Sequence, residues 1–101
     1  MSKVHLFVTV ELHAGAFSTY ADLLAAQVEI IRKEDGCEAI DVYLEDTQQD
    51  VVHLWEVWRD RESWDAHMSN ESSKQWQKSV SALVRNESIK VLHASSVAVE
   101  R

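Results

Sequence analysis

A chain of 101 residues is long enough for one domain and not for two. Its 17 acidic residues against 10 basic give a formal charge of −7, which argues against nucleic acid or an anionic membrane as the main partner, since either needs a basic face. A hydrophobic fraction of 46% excludes a disordered chain, and the single cysteine, Cys37, excludes an internal disulfide or a cysteine-built metal site. A domain this short buries only about 60–65% of its unfolded surface, so help from a partner subunit is expected. The lone thiol fits a reducing, cytoplasmic setting. No apolar leader precedes a cleavage site, and no run of about 18 apolar residues suits a membrane span. Gly15 and Gly36 alone cannot build a P-loop or a dinucleotide fingerprint.

Lys3 to His13 alternates strictly. Val4, Leu6, Val8, Val10 and Leu12 point one way, and His5, Phe7, Thr9, Glu11 and His13 the other, which predicts a strand with one fully apolar face. Ala14-Gly15 breaks the pattern. From Phe17 the period becomes helical, with Tyr20, Ala21, Leu24, Val28 and Ile31 on one stripe of a helix of about 18 residues. Gly36 is placed to end it as a left-handed cap. Cys37 to Glu45 reads as a second strand, Asp46 to Asp50 as a polar turn, and Val51 to Trp58 as a third strand paired with the second in a hairpin. Both faces of the third strand are heavy: Val52, Leu54, Glu56 and Trp58 on one, Val51, His53, Trp55 and Val57 on the other. Such a strand lies between two layers. Asp60 is placed as the N-cap of a short helix reaching Ser69, and Asn70 or Ser72 as the cap of another with a stripe of Trp76, Val80, Leu83 and Val84. Ser88 to Glu100 alternates again, as a fourth strand.

The order β-α-β-β-α-α-β predicts a ferredoxin-like α+β fold, a single domain over residues 1–101 with a four-stranded antiparallel sheet. Helices on one face leave the other bare, and Trp55 makes that bare face too apolar for water. A symmetric homodimer, sheet against sheet, is the expected closure.

Two residues stand out as candidates for chemistry. Glu56 sits in mid-strand between tryptophans, where burial raises a carboxyl pKa and makes it a candidate acid or base; the alternative is a hydrogen-bonded spacer. His67, on the short helix, is a candidate proton shuttle, or else a histidine satisfied at the core edge. The two are expected to border one cavity as an acid–base or orienting pair. Trp58, Trp64, Trp76 and Met68 are candidates to line it against a flat aromatic ligand; the alternative is that they fill a small core. His5, His13, His53 and His93 read as interface or rim residues. No histidine pair has metal-ligand spacing, so no metal site is expected.

Glu34-Asp35-Gly36-Cys37, then Asp41-Val42, then Glu56-Val57-Trp58, then His67, taken in that order, resemble the signature of the antibiotic biosynthesis monooxygenase (ABM) domain. That signature runs E-P-G-C, then Y-D-V, a strand ending E-x-W, and a helix carrying histidine. The resemblance spans about residues 3–98 of the chain. Asp35 stands where proline is usual, Ile40 where tyrosine is usual, and Ser72 where a second histidine often follows. The resemblance implies a homodimer whose two sheets form a shared barrel, with a pocket between sheet and helices in each subunit. It also implies a small monooxygenase that joins oxygen to a quinol or other aromatic substrate and needs neither flavin nor metal. Haem-degrading relatives carry a ligating histidine on the last helix, where this chain has Trp76. The same fold hosts isomerases and members without known activity, so an isomerase and a non-enzymatic ligand-binding dimer stay open as alternatives. A titrating His67 next to an occupied cavity favours the enzyme; a pocket filled by Trp58, Trp64 and Met68 favours the ligand-binding dimer.

Overall fold

The computed structural model describes residues 2–95. Along them run β1 (Val4–Leu12), α1 (Phe17–Arg32), β2 (Cys37–Glu45), β3 (Gln48–Trp58), α2 (Arg61–Ser69), α3 (Glu71–Val80) and β4 (Val84–Leu92). The strands form one antiparallel sheet in the order β2-β3-β1-β4, which is the ferredoxin-like arrangement. Among the described residues no helix is long and apolar enough to cross a membrane.

Strand alternation decides where the core lies. Val4, Leu6, Val8, Val10 and Leu12 are all buried, as are Val52, Leu54, Glu56 and Trp58 on the adjoining β3. The register sets Leu6 opposite Glu56 and Val8 opposite Leu54, so the buried carboxylate rises from an otherwise aliphatic inner face. Tyr20, Leu24, Gln27, Val28 and Ile31 of α1 pack over it. The outer face carries His5, Phe7 and Thr9 of β1 beside Val57, Trp55 and His53 of β3, all half-buried.

Five details depart from the sequence pattern. The polar segment after β2 is a turn only at Asp46-Thr47, because Gln48 already pairs with Glu45 and starts β3. A strand ladder is made by the backbone, so polar side chains do not end it where the hairpin reaches into water. Gly36 does not cap α1; that helix ends at Lys33 in right-handed geometry, and Gly36, at φ +87°, turns the chain into β2. Leu83 and Val84 do not continue the α3 stripe. Leu83 donates to the Val80 carbonyl at 2.8 Å and accepts from the His13 amide at 3.0 Å, which breaks the helix and delivers Val84 to β4. β4 therefore starts four residues before the expected Ser88. After Val84 its residues are polar as far as Ser88 and hide from an alternation count; Arg85 and Asn86 both reach Glu11, at 2.8 and 3.0 Å. The strand ends at Leu92, leaving His93 to Ser95 outside it. The remainder of the expected strand, residues 96–100, lies outside the described residues.

Both helix caps in the second half are side-chain caps of the expected kind. Asp60 accepts from the Ser63 amide at 2.8 Å, and Asn70 from the Ser73 amide at 2.7 Å. Asp60 thus opens α2, and Asn70 marks the sharp break between α2 and α3, both of which lie over the inner face of the sheet.

Candidate active site

The site begins at the turn from α1 into β2. Gly36 lies so close to α2 that a Cβ there would overlap the Ser63 side chain, and its positive φ suits glycine alone. Its carbonyl accepts from the Arg59 amide at 2.7 Å. Asp35, in the place of the usual proline, takes both arms of Arg59 at 3.1 Å each, and the guanidinium holds its carboxyl below the usual range. Beside this turn, Glu34 meets His67 across 33 residues of sequence, with Nδ1 to Oε1 at 2.9 Å.

Between the inner sheet face and the helices lies a cavity of about 280 Å³. Leu6, Val8 and Leu54 form its floor, Leu24 and Ile31 of α1 one wall, and Trp64, His67 and Met68 of α2 and Trp76 of α3 another. Glu56 rises from the floor. Its carboxyl is pushed up by burial, against which the Trp58 indole, donating to Oε1 at 2.9 Å, and the nearby His67 pull it down. Tyr20 also faces the cavity, held edge-to-face against Trp76 with ring centres 5.6 Å apart. Burial, reinforced by the Glu87 carboxylate at the rim, drives the phenol pKa upward, so its hydroxyl stays protonated and able to donate. Cys37 is half-buried and its thiol is raised by burial and by Glu56 and Glu34, which disfavours the reactive thiolate.

The cavity gathers five of the six residues singled out from the sequence: Glu56, His67, Trp64, Trp76 and Met68. Trp58 is the exception. At 0% exposure it does not reach the cavity but backs it, donating to Glu56 and stacking on His67 at 4.7 Å between ring centres. Its even position on β3 points it inward, yet it lies at the strand end under α2, where helix and sheet close upon it. Glu56 and His67 share the cavity without a hydrogen bond between them; the partner of His67 is Glu34. Tyr20, Gln27 and Glu87 also line the cavity, and sequence reasoning does not single them out. Tyr20 and Gln27 share the buried face of α1, but a helical stripe cannot distinguish a core residue from one that looks into a void. Glu87 is hidden because the start of β4 is.

Among the described residues no group of three or more histidine, cysteine or acidic side chains is arranged to hold a metal ion.

Sheet order, one-sided helices and an interlayer cavity place the molecule in the ferredoxin-like α+β class. The family model for antibiotic biosynthesis monooxygenases matches residues 3–79, and the chain belongs to that family. A crystal structure of a Pseudomonas aeruginosa protein aligns with a TM-score of 0.88 at 23% identity, covering 95% of this chain and 97% of that one. One from Mycobacterium tuberculosis aligns at 0.84 with 27% identity, covering 97% and 100%. A structure described as an antibiotic biosynthesis monooxygenase aligns at 0.85 with 20% identity, covering 91% and 98%. No curated protein matches the chain.

Proposed function

We propose that the protein is a small monooxygenase that oxidises a flat aromatic phenol or quinol with molecular oxygen, without flavin or metal, and works as a homodimer in the cytoplasm. One observation carries this reading: an open, mainly apolar cavity with an imidazole and a buried carboxyl on its walls. The cavity is not filled by Trp64 and Met68, which speaks against a purely structural core.

The chemistry suits such a wall. His67 removes a phenolic or activated C–H proton. The resulting electron-rich anion reacts with oxygen itself, and the oxygenated carbon collapses to a carbonyl with loss of water, so that CH₂ and O₂ become C=O and H₂O. Tyr20, kept protonated, donates to the substrate oxygen as negative charge builds there. Glu56, whose pKa is raised, is suited to hold or return a proton during the collapse. The apolar floor keeps competing water out.

The homodimer reading rests on the outer sheet face. His5, Phe7, His53 and Trp55 form a half-buried aromatic patch, and exposed Tyr43 and Leu92 extend it to both edge strands. A contiguous aromatic patch of this kind is suited to contact with another subunit. Sedimentation is expected to give about twice 11.6 kDa at micromolar concentration, and a stable monomer there ends the dimer reading.

The activity is tested by oxygen uptake with a dihydroxynaphthalene or an anthrone, with no flavin, nicotinamide or metal added. Uptake that saturates with substrate and depends on His67 supports the proposal. Uptake unchanged in both H67A and E56Q is autoxidation in an apolar cavity. Substrate loss without oxygen uptake points to the isomerase alternative.

A further inference from the structure

We infer that Glu34 is the positioning residue of this site, holding His67 with its Nδ1–H turned to the carboxylate and its Nε2 lone pair turned to the cavity. The catalytic half of this inference rests on the proton abstraction proposed above; the tautomer half stands on geometry alone.

Four observations converge. Glu34 Oε1 lies 2.9 Å from His67 Nδ1 and accepts from Asn70 Nδ2 at 3.0 Å. An oxygen already receiving an amide proton is an acceptor, so the proton on the histidine bond belongs to Nδ1. Both side chains are sheltered, each 15% exposed, so water competes weakly for the bond. His67 Nε2 has no protein partner among the described residues and is not sealed off, unlike the buried orphans His5 Nδ1 and Glu34 Oε2. The ring cannot rotate freely, because Trp58 stacks on one face.

His67 is also the residue shared by the apolar cavity and a polar outer cleft lined by Glu34, Asp35, Arg59, Asp60 and Asn70. The imidazole is therefore a partition. One edge is held in the cleft by the carboxylate, and the other edge serves the cavity. In the reaction, the substrate proton moves to Nε2 and leaves an imidazolium carrying both ring protons. Glu34 stabilises that cation without taking its proton. The Nε2 proton then returns to the oxygen that departs as water, and the ring is restored with no net proton gained or lost. This is the acid–histidine logic of a hydrolase triad, with a substrate proton in place of a nucleophile's.

The test is ¹⁵N NMR of His67 in the labelled protein, combined with oxygen-uptake kinetics. Wild type is expected to show the neutral ring protonated at Nδ1. In E34Q the amide oxygen still accepts, so the tautomer persists while kcat falls and KM stays close to wild type, because only the stabilisation of the charged ring is lost. In E34A the tautomer reverts to Nε2–H and kcat falls toward the loss seen in H67A, on the order of 10²–10⁴-fold. The double variant E34A/H67A is then no slower than H67A. A wild-type ring protonated at Nε2 overturns the inference whatever the oxygen assay shows. E34Q as fast as wild type with the tautomer intact overturns its catalytic half. The Nδ1–H tautomer together with no oxygen uptake on any aromatic tried supports the positioning role and sinks the proposed reaction instead. Should E34A fail to fold, E34Q and the wild-type spectrum still decide.

Discussion

The molecule holds two histidine–glutamate pairs that look alike in their hydrogen bonds and differ in every respect that matters for chemistry. On the inner side, His67 meets Glu34 at 2.9 Å and stacks on Trp58. On the outer face, His53 meets Glu45 at 2.7 Å and stacks on Phe7, ring centres 5.2 Å apart. The shorter bond is the outer one. Yet His53 commits both nitrogens to protein, since Nδ1 lies 3.1 Å from the Thr9 hydroxyl, and it borders no cavity among those described. Glu45 is 43% exposed where Glu34 is sheltered, so water and salt weaken the outer pair. The lesson is that a strong hydrogen bond does not make a catalytic histidine. What sets His67 apart is that it borders the interlayer cavity and has no second protein partner among the described residues.

The comparison breaks most visibly in turnover. H67A is expected to lower oxygen uptake on the order of 10²–10⁴-fold, the contribution of a positioned general base, while H53A stays close to wild type when assayed where the dimer is populated. Equal losses in the two variants would erase the distinction.

The next effect is on stability and concerns the ring beneath each histidine. Trp58 is wholly enclosed, so W58A should cost about 3–5 kcal/mol in urea unfolding, through lost burial and a cavity that collapses only in part. It also strips Glu56 of its indole donor. Phe7 is half-buried, and F7A should cost clearly less, about 1–2 kcal/mol. An F7A loss as large as that of W58A would mean that the outer stack is as much a core as the inner one.

Much of this layout is legible in the sequence, and the failures have physical causes. The alternation of β1 and the β3 pattern Val52, Leu54, Glu56, Trp58 place Glu56 on the inner face, because a strand's two-residue period is strict. The Asp60 and Asn70 caps are readable, because their side chains bond only three residues ahead. Glu34 and His67 each stand in the sequence motif, but their pairing is not readable. It depends on a Cβ-free Gly36 nestling against Ser63 and on Arg59 gripping Asp35, both consequences of how α2 returns over the α1–β2 turn. The start of β4 escapes a sequence reading because its side chains are polar while its backbone pairs with β1. The cavity itself is a property of how the helix layer sits on the sheet, and no one-dimensional pattern separates a wall from a filling.

Glu56 allows a finer test by pH. Its folded-state pKa lies above the ordinary value of 4.5, chiefly through burial. Between the ordinary and the raised value the folded protein keeps a proton that the unfolded chain has released. Stability therefore falls as pH rises through that window. E56Q retains an oxygen for the Trp58 indole and carries no charge, so it should lose that decline and be at least as stable as wild type at neutral pH. It also removes one cause of the upward shift at Glu87, although that rim residue keeps much of its surface in water. Urea unfolding from about pH 4 to 8, starting below the ordinary carboxyl value, measures both curves. A wild-type curve that instead rises through the window would show that Glu56 is held ionised by a partner in the cavity wall.

The smallest expected effect is the one that sharpens the comparison most. T9V replaces a hydroxyl by a methyl of nearly the same shape and frees His53 Nδ1, so that the outer histidine, like His67, has one nitrogen on a carboxylate and one without a partner among the described residues. If the free nitrogen alone made the inner pair special, T9V would create a second working base. It does not create a cavity, and the introduced methyl would cover part of the nitrogen that the substitution releases. The expectation is a loss of about 0.5–1.5 kcal/mol in stability, the net value of one partly buried hydrogen bond, with unchanged turnover and an unchanged His67 tautomer. A gain in oxygen uptake would mean that the outer face binds substrate. A fall comparable with that of H67A would mean that the two faces of the sheet serve one site, as they would if a second subunit carried the Thr9–His53–Glu45 chain toward its partner's cavity.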